Sequence, residues 1–183
     1  MDYPKEQYIS VDIETSGPIP GKYAMLSIGA CTISEPRDSF YIELKPDVNG
    51  FIPEALAISQ LSMNKLHETG IPAKDAMLKF SQWVLSVVPA GFQPVFTAFN
   101  APFDWIFVND YFHRYLGYNP FGHKALDIKA LYMGLRKTNW NNTSYDSVNR
   151  NTGLEGALTH HALEDAVQQA KIFEILLDGL RGN

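Results

Sequence analysis

From Tyr8 to Thr15 the apolar residues Ile9, Val11 and Ile13 alternate with Ser10, Asp12 and Glu14. This is the period-two pattern of a half-buried strand, and it sets both acids on one face. The turn-forming stretch 16–21 leads into a second strand-like run from Tyr23 to Ile33, and residues 35–38 lead into a third from Ser39 to Leu44. Links this short favour an antiparallel meander. Pro53 opens a loosely helical stretch carried by Leu56, Ile58, Leu61 and Leu66 to about Glu68, and Gly70 ends it. Pro72 opens a clearer amphipathic helix, with Ala76, Met77, Phe80, Val84, Leu85 and Val88 at three-to-four-residue intervals up to Pro89. A buried strand over Pro94–Phe99 turns at Asn100-Ala101-Pro102 into a helix from about Phe103 to Leu116. A short strand around Ala125–Ile128 precedes a helical turn ending near Leu135. Residues 136–156 are Asn-rich and weakly periodic, which predicts a long surface loop bordering a site. Leu163, Ala166, Ala170, Phe173, Leu177 and Leu180 then describe a last helix from Ala162.

Three strands in a meander, then helices alternating with strands, predict a mixed α/β sheet with helices on its faces and the first strand central. A length of 183 residues suits one domain spanning 1–183. Hydrophobic residues at 45% and charged residues at 19% exclude a disordered chain or a coiled-coil rod. No stretch reaches the roughly 20 apolar residues that a membrane span requires, and the opening residues carry no secretory signal, so a soluble cytoplasmic protein is expected. Cys31, the one cysteine, lies in an apolar run and reads as a buried thiol in a reducing compartment. A formal net charge of −5 argues against a broad basic surface for long nucleic acid, but leaves open a small cleft where cations supply the positive charge.

Asp12, Glu14, Asp104 and Asp165 stand at element ends or between apolar neighbours. Each alone reads as a solvated carboxylate or a helix cap. Asp12 and Glu14 on one strand face repel by something like 4 kcal/mol at ~4 Å and an effective dielectric near 20, a conflict that a hard divalent cation resolves. Three segments then resemble the motifs of DEDDh-type 3′-5′ exonucleases of the DEDD superfamily, a group that includes RNase T and the proofreading subunit of bacterial DNA polymerase III. They are Val11-Asp12-Ile13-Glu14-Thr15-Ser16-Gly17, Phe99-Asn100-Ala101-Pro102-Phe103-Asp104 and His160-His161-Ala162-Leu163-Glu164-Asp165. The resemblance covers about Tyr8 to Leu177. It implies a ribonuclease H-like fold, a five-stranded mixed sheet with its first three strands antiparallel, flanked by helices.

It also implies that Asp12, Glu14, Asp104 and Asp165 hold two Mg²⁺ or Mn²⁺ ions, and that His160 is the general base of a two-metal hydrolysis releasing nucleoside 5′-monophosphates from 3′ ends. On a continuous helix His161, four residues before Asp165, would face that aspartate instead, so His160 is expected in the loop before the helix. By the same resemblance Thr15 and Ser16 contact the terminal nucleotide, Phe103 flanks its base, Leu61 is a wedge on the opposite wall, and Asn100 braces the corner or touches substrate. Asp127 either supports the site or caps the next helix. Phe99 stands where many relatives carry histidine, and Ser59 where some carry a substrate-contacting one. The expected substrates are single-stranded DNA or RNA 3′ ends, in proofreading or DNA repair, with the chain acting as a homodimer or as a subunit of a replication or repair assembly. The alternative is a catalytically inactive nucleic-acid- or protein-binding module on the same fold; the intact acidic set argues against it, since such a module would gain by shedding clustered negative charge.

Overall fold

The computed structural model describes residues 5–181. Strand β1 (Lys5–Thr15) is the middle of a five-stranded sheet completed by β2 (Met25–Thr32), β3 (Ser39–Glu43), β4 (Phe92–Ala98) and β5 (Ala125–Asp127), in the order β3-β2-β1-β4-β5. Helices α1 (Pro53–Ser59), α2 (Met63–Thr69) and α3 (Ala73–Val87) join β3 to β4, and α4 (Ala101–Leu116) joins β4 to β5. After β5 come α5 (Ile128–Arg136), a 3₁₀ turn (Trp140–Asn142), α6 (Tyr145–Thr152) and α7 (Ala162–Arg181). β1, β2 and β3 pair antiparallel, while β4 and β5 add in parallel after their crossover helices, as the link lengths dictate. The architecture is the ribonuclease H-like mixed sheet expected from the motifs.

Alternation along β1 divides the molecule. Ile9, Val11 and Ile13 are buried with Met77, Phe80 and Phe107 under α3 and α4. The other face of the sheet packs Cys31, Ile128, Tyr132, Val148 and Phe173 beneath α5, α6 and α7. At Gly29 of β2, opposite Asp12, the backbone of α7 comes so close that a β-carbon would lie 2.1 Å from Ala162 C and Leu163 N. Glycine is therefore required there for α7 to reach the sheet.

Two expectations need correction. The helix expected over 53–68 is broken: Gln60 turns left-handed at φ +57°, and Ser62 restarts the chain by accepting the Lys65 amide. The break lets Leu56, Leu61 and Met63 pack on Ala24, Leu26 and Leu66, which one straight helix at that spacing would not do. The surface loop expected over 136–156 contains the 3₁₀ turn and α6, because Tyr145 and Val148, three apart, bury one side of an otherwise polar helix in the core. Ser144 caps its start and Gly153, at φ +72°, its end.

Candidate active site

β1 extends past the end of β4: their parallel pairing stops at Ser10–Thr97, and the Ile13 amide beyond it lacks a strand partner on that side. Asp104, in the first turn of α4, supplies the acceptor, its Oδ1 lying 3.2 Å from Ile13 N. A buried amide needs such a partner, so this contact ties α4 to the strand that carries Asp12 and Glu14. Between Glu14 and Thr15 the β1–β2 register shifts, a bulge of the kind that re-aims side chains beside sites.

α7 delivers the third segment. Asp165, 2% exposed, accepts hydrogen bonds at Oδ1 from Thr159 N (2.8 Å) and Thr159 Oγ1 (3.1 Å), and at Oδ2 from His160 N (2.9 Å). Its carboxylate thereby folds the preceding loop over the helix start. His160 lies in that loop, outside the helix, exposed and at φ +58°, a conformation that non-glycine residues adopt at a cost. His161 points elsewhere and stacks on Tyr41, ring centroids 4.5 Å apart.

The result is a cleft of about 260 Å³ whose walls include Asp12, Glu14, Asp104, His160 and Asp165, together with Thr15, Asn100 and Phe103. Oxygen or nitrogen atoms of Glu14, His160 and Asp165 all lie within 4.8 Å of one another, close enough to share one cation. Burial raises the Asp12 carboxyl well above the ordinary range, and the charges of Asp104, Glu14 and Asp165 add to it. Burial and then Asp165 push Glu14 from its ordinary 4.5 to about 8. Asp104 is also raised, by burial first and further by Glu14 and Asp127, against the hydrogen bond from Ile13. Without a counter-ion Asp12, Glu14 and Asp104 are therefore all biased towards their protonated forms. Hard oxygen donors crowded to this degree fit Mg²⁺ or Mn²⁺.

Ser16 and Leu61 do not line the cleft. The Ser16 hydroxyl is fully buried, donating to Gly50 O and accepting from Ala24 N, so its hydrogen bonds are spent on folding the β1–β2 turn. Leu61 packs in the small core beside α2, and Ala55 and Ile58 of α1 form the wall instead. Asp127 fills both roles considered for it: one oxygen, Oδ1, accepts from Lys129 N (3.0 Å), capping α5, and from Asn100 N (3.1 Å), fixing the corner before α4.

Two residues were not foreseen. Gln169, 2% exposed, donates from Nε2 to Asp12 Oδ1 at 2.6 Å and accepts the Phe99 amide at 2.9 Å, joining all three motif segments. It stands four residues after Asp165 on the same helical face, a spacing readable in the sequence. Tyr145 of α6 is buried against Phe99, and its hydroxyl has no hydrogen-bond partner among the described residues. Burial raises its pKa, and the charges of Asp165, Asp146 and Asp12 raise it further.

A family model described as the 3′-5′ exoribonuclease Rv2179c-like domain matches residues 7–177. An Escherichia coli protein described as the 3′-5′ DNA exonuclease Cap18 is 49% identical over 172 residues, covering 94% of this chain and 92% of that protein. Among solved structures, the nuclease domain of 3′hExo, described as a DEDDh family member bound to rAMP, superposes with a TM-score of 0.82 at 16% identity, covering 97% of this chain and 94% of that one. Escherichia coli exonuclease I in complex with a dT13 oligonucleotide gives a TM-score of 0.74 at 17% identity, covering 97% of this chain and 42% of that one.

Proposed function

Because this chain belongs to the Rv2179c-like 3′-5′ exoribonuclease family and is a 3′-5′ exonuclease of the DEDDh type, we propose that it removes nucleoside 5′-monophosphates from single-stranded DNA 3′ ends at the cleft between β1, α4 and α7. The observation that carries this reading is the convergence of Asp12, Glu14, Asp104, Asp165 and His160 on one cleft from distant parts of the chain. DNA is favoured by the 49% identity to a protein described as a DNA exonuclease, although the family description names RNA.

In this reading the four carboxylates hold two divalent cations. When bound, such ions supply Lewis acidity toward water and phosphate and neutralise the acidic cluster. The chain does the rest. His160, exposed at the rim, accepts the proton of the attacking water. Thr15, Asn100 and Phe103 border the space for the terminal nucleotide, with the half-buried Phe103 ring offering its base a stacking surface without demanding a sequence. Gln169 and the Ile13 amide hold Asp12 and Asp104 in place. Ser16 and Leu61 have structural roles. No helix among the described residues is long and apolar enough to cross a membrane. The buried Cys31 is in keeping with a reducing cytoplasm, and DNA repair is the setting that a DNA 3′ end suggests.

The test is release of mononucleotides from matched, 5′-labelled DNA and RNA strands of equal sequence in Mg²⁺ or Mn²⁺. We expect faster degradation of the DNA strand, and loss of at least ~10³-fold in Asp12→Ala and in His160→Ala. Equal or faster RNA degradation would reverse the substrate assignment, and undiminished turnover in Asp12→Ala would remove the site.

A further inference from the structure

Beyond the cleft, at the β5 edge, an indole is held in the open. Trp140 is 47% exposed in the 3₁₀ turn after α5, and Lys129 Nζ stands 4.3 Å from its ring centroid. Exposed tryptophan usually sits on a mobile tip; this one is anchored. Its carbonyl accepts both the amide (3.1 Å) and the hydroxyl (2.8 Å) of Thr143, which is fully buried. Lys129 is placed just as firmly, because its amide and that of Asn100 share the same oxygen of Asp127. Asn100 lines the cleft, so Lys129 begins within two hydrogen-bond lengths of the cleft wall.

We propose that Trp140 and Lys129 form a second nucleotide subsite, which takes an unpaired base and its phosphate two or more residues upstream of the 3′-terminal residue held in the cleft. The proposal rests on the exonuclease reading and extends it from one nucleotide to a strand. A strand leaving the acidic cleft needs a cation for its next phosphates in a chain of net charge −5, and Lys129, whose amide shares Asp127 Oδ1 with that of the cleft residue Asn100, supplies one beside Trp140. A fixed aromatic face gives stacking affinity to any base without the ordering cost of a mobile loop.

The experiment measures kcat and KM for a ladder of single strands from a dinucleotide to an octanucleotide, on the wild type, Trp140→Ala, Trp140→Phe and Lys129→Gln. We expect the wild-type KM to fall as the strand lengthens. Trp140→Ala should raise KM by roughly five- to 150-fold on the longer strands while changing the dinucleotide little. Trp140→Phe should restore most of the gain, and the confinement of the loss to longer strands is what a merely structural role for the indole would not predict. Lys129→Gln should reduce the slope of log KM against log salt by about one unit on long strands. A length dependence and salt slope equal to wild type in Trp140→Ala and Lys129→Gln would overturn the subsite while leaving the exonuclease intact. Failure of the wild type to release nucleotides from any strand would instead overturn the underlying reading.

Discussion

Burial and three neighbouring carboxylates all favour the protonated form of Asp12, and the hydrogen bond from Gln169 opposes them. Removing that bond should loosen the ligand without unfolding the protein. Gln169→Leu is expected to weaken Mn²⁺ binding and activity by roughly 10- to 100-fold, with Gln169→Asn recovering little because the shorter amide cannot span Asp12 and Phe99; titration of activity against Mn²⁺ checks this. Glu14 carries the clearest pH signature. Raised from 4.5 to about 8, it binds more protons in the folded than in the unfolded chain. In chelator, then, its contribution to stability is fully present below about 4.5 and is lost as pH rises towards about 8. Denaturation midpoints across that window should fall for the wild type and flatten in Glu14→Gln. For the same reason cation binding must expel protons, so affinity should rise with pH up to about 8, and calorimetry in buffers of different ionisation heat should register the release. A heat independent of the buffer would contradict the crowding of the carboxylates.

Among the elements, α7 decides whether the site exists. It reaches the sheet through the bare backbone of Gly29, and that contact sets Asp165 opposite β1. Gly29→Ala inserts a methyl where the backbone of α7 lies, so a loss of about 1 to 3 kcal/mol in unfolding free energy is expected, with a larger proportional loss of cation affinity. A variant of wild-type stability and activity would show that α7 can retreat freely. The same scale explains what could be read in advance. β1, α3 and α7 carry clear periods, and the Asn100-Ala101-Pro102 corner announces α4, so the acidic set carried by β1, α4 and α7 was legible as one site. Gln60 could not be read as a break, since its left-handed turn depends on Leu61 finding the pocket around Leu66. α6 was hidden by composition: Asn149, Arg150 and Asn151 drown the two buried apolar residues, although Ser144 and Gly153 punctuate it correctly. Ser16 and Leu61 show the limit of a motif, which marks a neighbourhood and leaves the direction of each side chain to packing.

For the molecule as a whole, cations bind the folded state and have no preformed site in the unfolded chain. Saturating Mn²⁺ at about 100 times its Kd should therefore add about 2.7 kcal/mol of apparent stability, read as a rise in the thermal midpoint that Asp12→Asn abolishes. Without metal, Asp12→Asn should be as stable as the wild type or more so, because it removes an ionisable group from a crowded, buried cluster. A marked fall in stability in chelator would mean that Asp12 contributes more to folding than its surroundings suggest.

The acidic residues also enter the chain at widely separated times. Asp12 and Glu14 are synthesised first, Asp104 midway, and Asp165 only with α7. A ribosome-bound chain that has not yet extruded that helix carries three of the four carboxylates and no His160. It cannot assemble the cleft, so the activity waits on the last element of the chain to be made.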